Sequence, residues 1–267
     1  MLTRPVLSRF SLNKNSNKGF TLVELAIVIT IIGILIGGVL KGQQLIDQAR
    51  LAGTISQLRG YETAVRIFRT KYDGLPGDLA NAENRIMNCT GCTADDTNPT
   101  GDDDVGDVSS FDTAQVGKTL EPVLFWTHLL KAELITGVTD AALTTDPVAW
   151  GATHPAAKIG GGFHGKSGDG GGDGSWAGGR HPNGLALLLV GQVNGYPGNT
   201  SSSSHSGHIL TPGQAASIDR KLDDGKGKTG SVLAHGRVTI CGDGGENGGE
   251  YIESSASALC GIAYVIE

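Results

Sequence analysis

The sequence predicts an α+β protein: a long N-terminal helix packed on a globular head that holds an antiparallel β-sheet. Three observations carry this. Phe20 to Leu40 is an apolar run of 21 residues whose only ionisable side chain is Glu24. Beyond it Leu45, Ala49, Ala52, Ile55, Leu58, Tyr61, Val65, Phe68 and Tyr72 recur at spacings of three and four, which is one face of an amphipathic helix. The C-terminal part then reads as short strands and helices that follow the long helix without a regular strand–helix alternation, which points to an antiparallel sheet.

Each element has its own signal. As a helix, residues 20–40 span about 31 Å, enough for a bilayer core of about 30 Å. Residues 41–72 are the striped half of the same helix, which Asp73-Gly74-Leu75-Pro76-Gly77 stops. Gly33 and Gly37 form one GxxxG pair and Gly38 and Gly42 another, which lets a second helix approach closely. The head, residues 73–267, opens with an irregular stretch rich in aspartate to about residue 112. Glu121 to Ile135 reads as a helix, with Leu124, Thr127, Leu130 and Leu134 near one face beside Phe125 and Trp126. Gly160 to Gly179 holds 11 glycines in 20 residues and reads as loop. Leu185 to Val193 is a buried strand. Thr211-Pro212-Gly213-Gln214 has capping-box spacing with proline at the first helical position, opening a helix to about Leu222. Asp224-Gly225 turns the chain, and Ser231 to Ile240 and Ile262 to Ile266 are further strands.

Charge sets the orientation. Residues 1–19 carry Arg4, Arg9, Lys14 and Lys18 and no acid, which holds that end in the cytoplasm and sends everything after Leu40 across. Without those four cations the net charge falls from −6 to −10. That balance gives no support for a charge-driven nucleic-acid surface. A carboxylate at Glu24 costs roughly 2.5–3.5 kcal/mol if it lies deep in the bilayer, so a cationic partner is expected. A cut after Gly19 would supply one, because the new α-amine of Phe20 lies close to the depth of Glu24.

The string Lys18-Gly19-Phe20-Thr21-Leu22-Val23-Glu24-Leu25 and the apolar run behind it resemble the class III signal of type IV pilins and type II secretion pseudopilins. The resemblance implies a leader at residues 1–19, cleavage between Gly19 and Phe20 by a prepilin peptidase, and N-methylation of Phe20. It also implies that Glu24 neutralises the Phe20 amine of a neighbouring subunit during assembly. The chain would then be a filament subunit rather than an enzyme, without a cofactor. Its partners would be its own copies and related pilins, the prepilin peptidase and an inner-membrane assembly platform. It would sit in the inner membrane as a single-pass protein before joining an extracellular pilus or periplasmic pseudopilus. The competing class is a membrane-tethered enzyme or binding module with a pilin-like anchor. Many pilins carry a proline just after the apolar run; here Lys41 stands in that neighbourhood and the helix has no proline. Leu75-Pro76-Gly77-Asp78 and Ile218 to Gly225 are also similar to runs in some pseudopilin-like proteins.

Four cysteines allow three pairings. Cys241 and Cys260 resemble the disulfide-bounded C-terminal loop of many type IV pilins, a closure contributing on the order of 3 kcal/mol. Cys89 would then pair with Cys92. A redox CxxC would need a thioredoxin-like context, and a zinc site two more ligands at finger spacing; neither is in the sequence nearby. Gly160 to Ser167 matches the P-loop pattern literally, but no buried strand precedes it and no helix follows, so nucleotide binding is rejected. The acidic run that includes Asp95, Asp102 and Asp104 could offer calcium its carboxylates and loop carbonyls, although it lacks EF-hand spacing. His205-Ser206-Gly207-His208 reads as surface loop, and no catalytic constellation stands out.

Overall fold

A computed structural model of the chain describes residues 19–93, 101, 103, 105, 121–139, 150–169, 183–191, 208–236, 241, 249–258 and 260–266. Two compact units divide it, Met1–Ile46 and Asp47–Glu267. Helix α1 is continuous from Leu22 to Tyr72. Its apolar half meets the length and composition of a membrane span, and none of that window is buried. In the second unit Ile55, Leu58, Val65 and Phe68 are buried as the stripe predicts. Ala49 and Ala52 are exposed, however, as is Leu45 in the first unit, and Leu51 and Thr54 are buried in their place, so the packed face begins about two turns later than the stripe does.

After a four-residue helix α2 (Ala82–Arg85), helix α3 runs from Glu121 to Lys131. It is shorter than the sequence suggested. Glu133 turns left-handed (φ 60°), and the amides of Glu133 and Leu134 donate to the carbonyls of Leu130 and Leu129 at 2.9 and 3.0 Å. That double closure is a Schellman ending, built here without glycine. Residues Leu124 to Leu129 are all buried, so α3 is enclosed on every side that its described side chains face.

Four strands follow: β1 (Gly162–Asp169), β2 (Asn183–Val190), β3 (Val232–Gly236) and β4 (Cys260–Val265). They form one antiparallel sheet in the order β1-β2-β4-β3. Helix α4 (Pro212–Leu222) precedes β3 with its capping box made on both sides, Thr211 Oγ1 accepting from the Gln214 amide and Gln214 accepting from the Thr211 amide. Leu185, Leu187 and Leu189 enter the main core with α1 and α3, while Ala186, Leu188 and Val190 join Ala263 in a second cluster on the opposite face. A strand buried on both faces needs a continuous apolar run, as β2 has.

The glycine-rich stretch is a correction. Residues 162–169 are strand β1, paired with β2 from Gly162↔Val190 to Asp169↔Asn183; residues 170–179 lie outside the described residues. Glycine is poor in strands because it packs nothing, unless another group needs its space. A Cβ at Gly165 would meet the Phe125 ring at 2.7 Å. The strand tolerates glycine there because α3 fills the room with an aromatic side chain.

Both sheet edges are covered. The Phe163 amide donates to Pro155 O at 3.0 Å and the Ser167 amide to Val105 O at 3.1 Å along β1, and the Ala234 amide donates to Gly227 O at 2.8 Å along β3.

Gly165→Ala should therefore destabilise the head by about 1–3 kcal/mol through overpacking. Gly60→Ala, on α1 with nothing within 4 Å of the added Cβ, should stabilise by about 1 kcal/mol through helix propensity. Thermal unfolding of the two variants should move the midpoint in opposite directions.

Candidate processing and assembly site

Gly19 and Phe20 precede α1 in non-helical backbone. Nothing lies within 4 Å of a Cβ placed at Gly19, and Phe20 is 91% exposed. The junction is open to a peptidase on the described side; residues 1–18 lie outside the described residues. One turn on, Glu24 has a local partner that is not the cation expected from the sequence. The Thr21 amide and the Thr21 hydroxyl both donate to Glu24 Oε2, each at 2.9 Å, and the Glu24 amide donates back to Thr21 Oγ1 at 3.2 Å. Thr21 is the N-cap of α1 and Glu24 its N3 residue, so the pair is a capping box. The spacing Thr21-x-x-Glu24 was the signal for it. Both of Thr21's contacts use Oε2, which leaves Oε1 of the same carboxylate for a cation.

Leu22, Val23, Leu25 and the apolar residues through Leu40 are exposed around this turn. A helix with this much uncovered apolar surface needs lipid or other helices around it.

The cysteines pair within the head, Cys89 with Cys92 and Cys241 with Cys260, at Cα–Cα distances of 5.5 and 5.3 Å. The second bond anchors residue 241 at the start of β4, where Cys260 also exchanges two backbone hydrogen bonds of 2.9 Å with Leu210. The first bond has a neighbour that sequence spacing could not place there. His128 of α3 brings a ring nitrogen within 4.8 Å of both sulfurs, but both of its nitrogens are occupied. Nδ1 accepts from the Gly77 amide at 2.8 Å, so Nε2 carries the proton and donates to Cys92 O at 2.7 Å. The group is a rivet joining α3, the Gly77 turn and the CxxC loop. It presents no open ligand set for zinc.

Burial holds the His128 imidazole down to about 4. Since its unfolded value is about 6.5, the unfolded chain takes up a proton between those limits that the folded chain refuses. The stabilisation is complete above about pH 6.5 and is lost as pH falls toward 4, by up to about 1.4 kcal/mol per pH unit. His128→Phe would orphan two buried backbone groups at about 1–3 kcal/mol each. Urea unfolding at pH 7.5 and pH 5 should show lower stability for this variant at pH 7.5 and a shallower loss in acid.

Of the acidic run, Asp95, Asp102 and Asp104 lie outside the described residues. Asp103 between them is docked, its amide donating to Asp78 Oδ2 at 2.8 Å and its carboxylate 3.6 Å from Arg69. Asp78, from the Leu75-Pro76-Gly77-Asp78 run, and Arg69, in the last turn of α1, thus hold this residue together. A second acidic group, Asp219, Asp223 and Asp224, falls in the Ile218 to Gly225 run, which the sequence did not mark as a metal site. Its carboxylates are taken by Tyr251 and Gly225, by Ser231 and Val232, and by Lys226 and Thr229. Burial pushes Asp219 up to about 6 against the hydrogen bonds from Tyr251 and Gly225. The P-loop match falls on the entry to β1, an antiparallel strand with no helix behind it.

The model of one family, the prokaryotic N-terminal methylation motif, matches residues 14–40. No curated protein and no solved structure matches the chain significantly. The match covers the junction, Glu24 and the uncovered apolar run, and it supports a class III signal of the type IV pilin and pseudopilin kind at residues 14–40 and hence a pilin-like substrate of prepilin peptidase.

Proposed function

We propose that the protein is a structural subunit of a type IV pilus or of a type II secretion pseudopilus. The observation that carries this is the methylation motif on a helix whose apolar half is wholly uncovered. Prepilin peptidase cuts after Gly19, the Phe20 amine is methylated, and the helix waits in the inner membrane with the head beyond it. Assembly moves the helix from lipid into a bundle of neighbouring helices, its own copies and those of related pilins. The function is scaffolding, and no reaction is assigned to the head. The final location is an extracellular pilus or a periplasmic pseudopilus.

Glu24 does two jobs in this reading. Its Oε2 closes the first turn of its own helix, and its Oε1 receives the Phe20 ammonium of a neighbour. In an apolar bundle that ammonium would cost several kcal/mol without an anionic partner. The competing reading, a tethered enzyme or binding module, leaves Glu24 with the first job alone.

Two measurements decide between them. Intact mass of the envelope or filament form should lack residues 1–19 and carry one added methyl; a retained leader on assembled protein removes the basis of the proposal. For assembly, Glu24→Gln keeps a capping-box acceptor but no charge, and Glu24→Ala keeps neither. Both should stay in the membrane and be cleaved, and both should give no sheared filaments, while Glu24→Asp gives a reduced yield. Normal filaments from Glu24→Gln would reduce the residue to a cap.

Thr21→Val tests the cap on its own. Losing an N-cap costs about 1 kcal/mol, so amides of the first turn of α1 should exchange about fivefold faster in detergent. Exchange in β2 and β4 should not change.

A further inference from the structure

Residues 150–159 form a strap across the start of β1 and the middle of α1. On the α1 side Gln57 clamps it, donating to Ala156 O at 2.9 Å and accepting from the Lys158 amide at 3.0 Å, and Thr54 Oγ1 accepts from the Ile159 amide at 3.1 Å. On the sheet side Pro155 O accepts from the Phe163 amide. Between these ties sit two fully buried imidazoles. His154 of the strap stacks on His164 of β1, with ring centroids 5.3 Å apart and planes 9° apart, and His154 Nε2 lies 3.2 Å from His164 Nδ1.

Two ring nitrogens at that distance share one hydrogen, so one donates and the other accepts. A proton on the accepting nitrogen would set N–H against N–H and place a cation where no water reaches. Among the described residues of β1, the Lys166 ammonium acts on His164 with the same sign. From the strap come the Thr153 hydroxyl, 3.0 Å from His154 Nδ1, and the Trp150 ring. Helix α3 presents the Trp126 ring, and β2 places Leu188 opposite His164.

We propose that His154 and His164 form an acid-released latch, which lets the 150–159 strap detach from β1 and α1 as pH falls from about 7 toward 5. The strap carries Pro155, Ala156 and Lys158, one wall of a cleft of about 600 Å³ whose other walls are Gln57 and Tyr61 of α1 and the turn after α3. Releasing it uncovers the Tyr61 face of α1. The latch belongs to the head alone and stands or falls separately from the assembly reading.

The direction follows from linkage. The closed strap holds both imidazoles neutral, well below their ordinary value, whereas a detached strap lets them protonate near 6.5. Closure is therefore favoured above about pH 6.5 and weakens below it. Between pH 7 and pH 5 the opening equilibrium should grow about 25-fold if one imidazole is released and about 600-fold if both are.

The test is hydrogen exchange of the full chain in detergent micelles, corrected for intrinsic rates, at pH 7, 6 and 5. Amides of Gly151, Ala157, Lys158 and Ile159 should lose protection by at least 25-fold, with Leu187 and Leu189 in β2 remaining more protected than the strap at each pH. A strap as protected at pH 5 as at pH 7, or one that opens only when β2 does, overturns the latch. The variant His154→Phe/His164→Leu should keep the strap closed at pH 5, and acid opening like that of the unaltered chain also overturns it. If this variant does not fold at pH 7, the unaltered chain's exchange decides alone.

Discussion

The head is organised by the meeting of three aromatic side chains from three elements. Tyr61 of α1 packs edge-to-face on Trp126 of α3 at 5.1 Å and on Phe163 of β1 at 5.2 Å. Each pair is worth about 0.5–1.5 kcal/mol beyond the area it buries, and each fixes an angle as well as a distance. Once these rings are set, Phe125 beside Trp126 must enter the sheet where β1 has no side chain, at Gly165. His128, half a turn along α3, then reaches the CxxC loop and stacks on Phe68 of α1 at 6.0 Å. The rivet and the strap both depend on that junction.

Aromatics are only 5% of the chain, and several of the described ones meet at this junction. Trp150 and the two buried histidines extend the cluster around the start of β1. Neutral imidazoles here behave as flat, weakly polar rings, and their burial is tolerated because each finds a hydrogen-bond partner. His128 is positioned by contacts with residues far away in the chain, Gly77 and Cys92, whereas His154 and His164 are positioned by Thr153 and by each other.

That explains what the sequence could and could not reveal. Helix α1 was legible because a stripe at spacings of three and four is a local pattern, and α4 because its capping box lies within four residues. Strand β2 was legible because two buried faces demand an unbroken apolar run. Strand β1 was hidden: Gly165 answers to Phe125, about 40 residues earlier, and Gly162 to Trp150, while local composition says loop. His128 and the His154–His164 pair were hidden for the same reason, since neither has a near partner in sequence at metal or catalytic spacing. At the N-terminus the junction and the acid were legible, while Thr21's part in holding that acid was overlooked although its spacing was in view. The weight given to a distant partner for Glu24 obscured the local one.

The covered edges of the sheet have a consequence for crowding. An exposed strand edge is a template for any other strand, and the hazard grows with local concentration. This protein would hold many identical heads close together on an array of helices. Backbone groups on β1 and β3 are already engaged by Pro155, Val105 and Gly227, so neighbouring heads find no ladder to extend there. In the proposed filament this would take those backbone groups out of pairing between neighbouring heads and leave association to the part of the chain that lipid can cover.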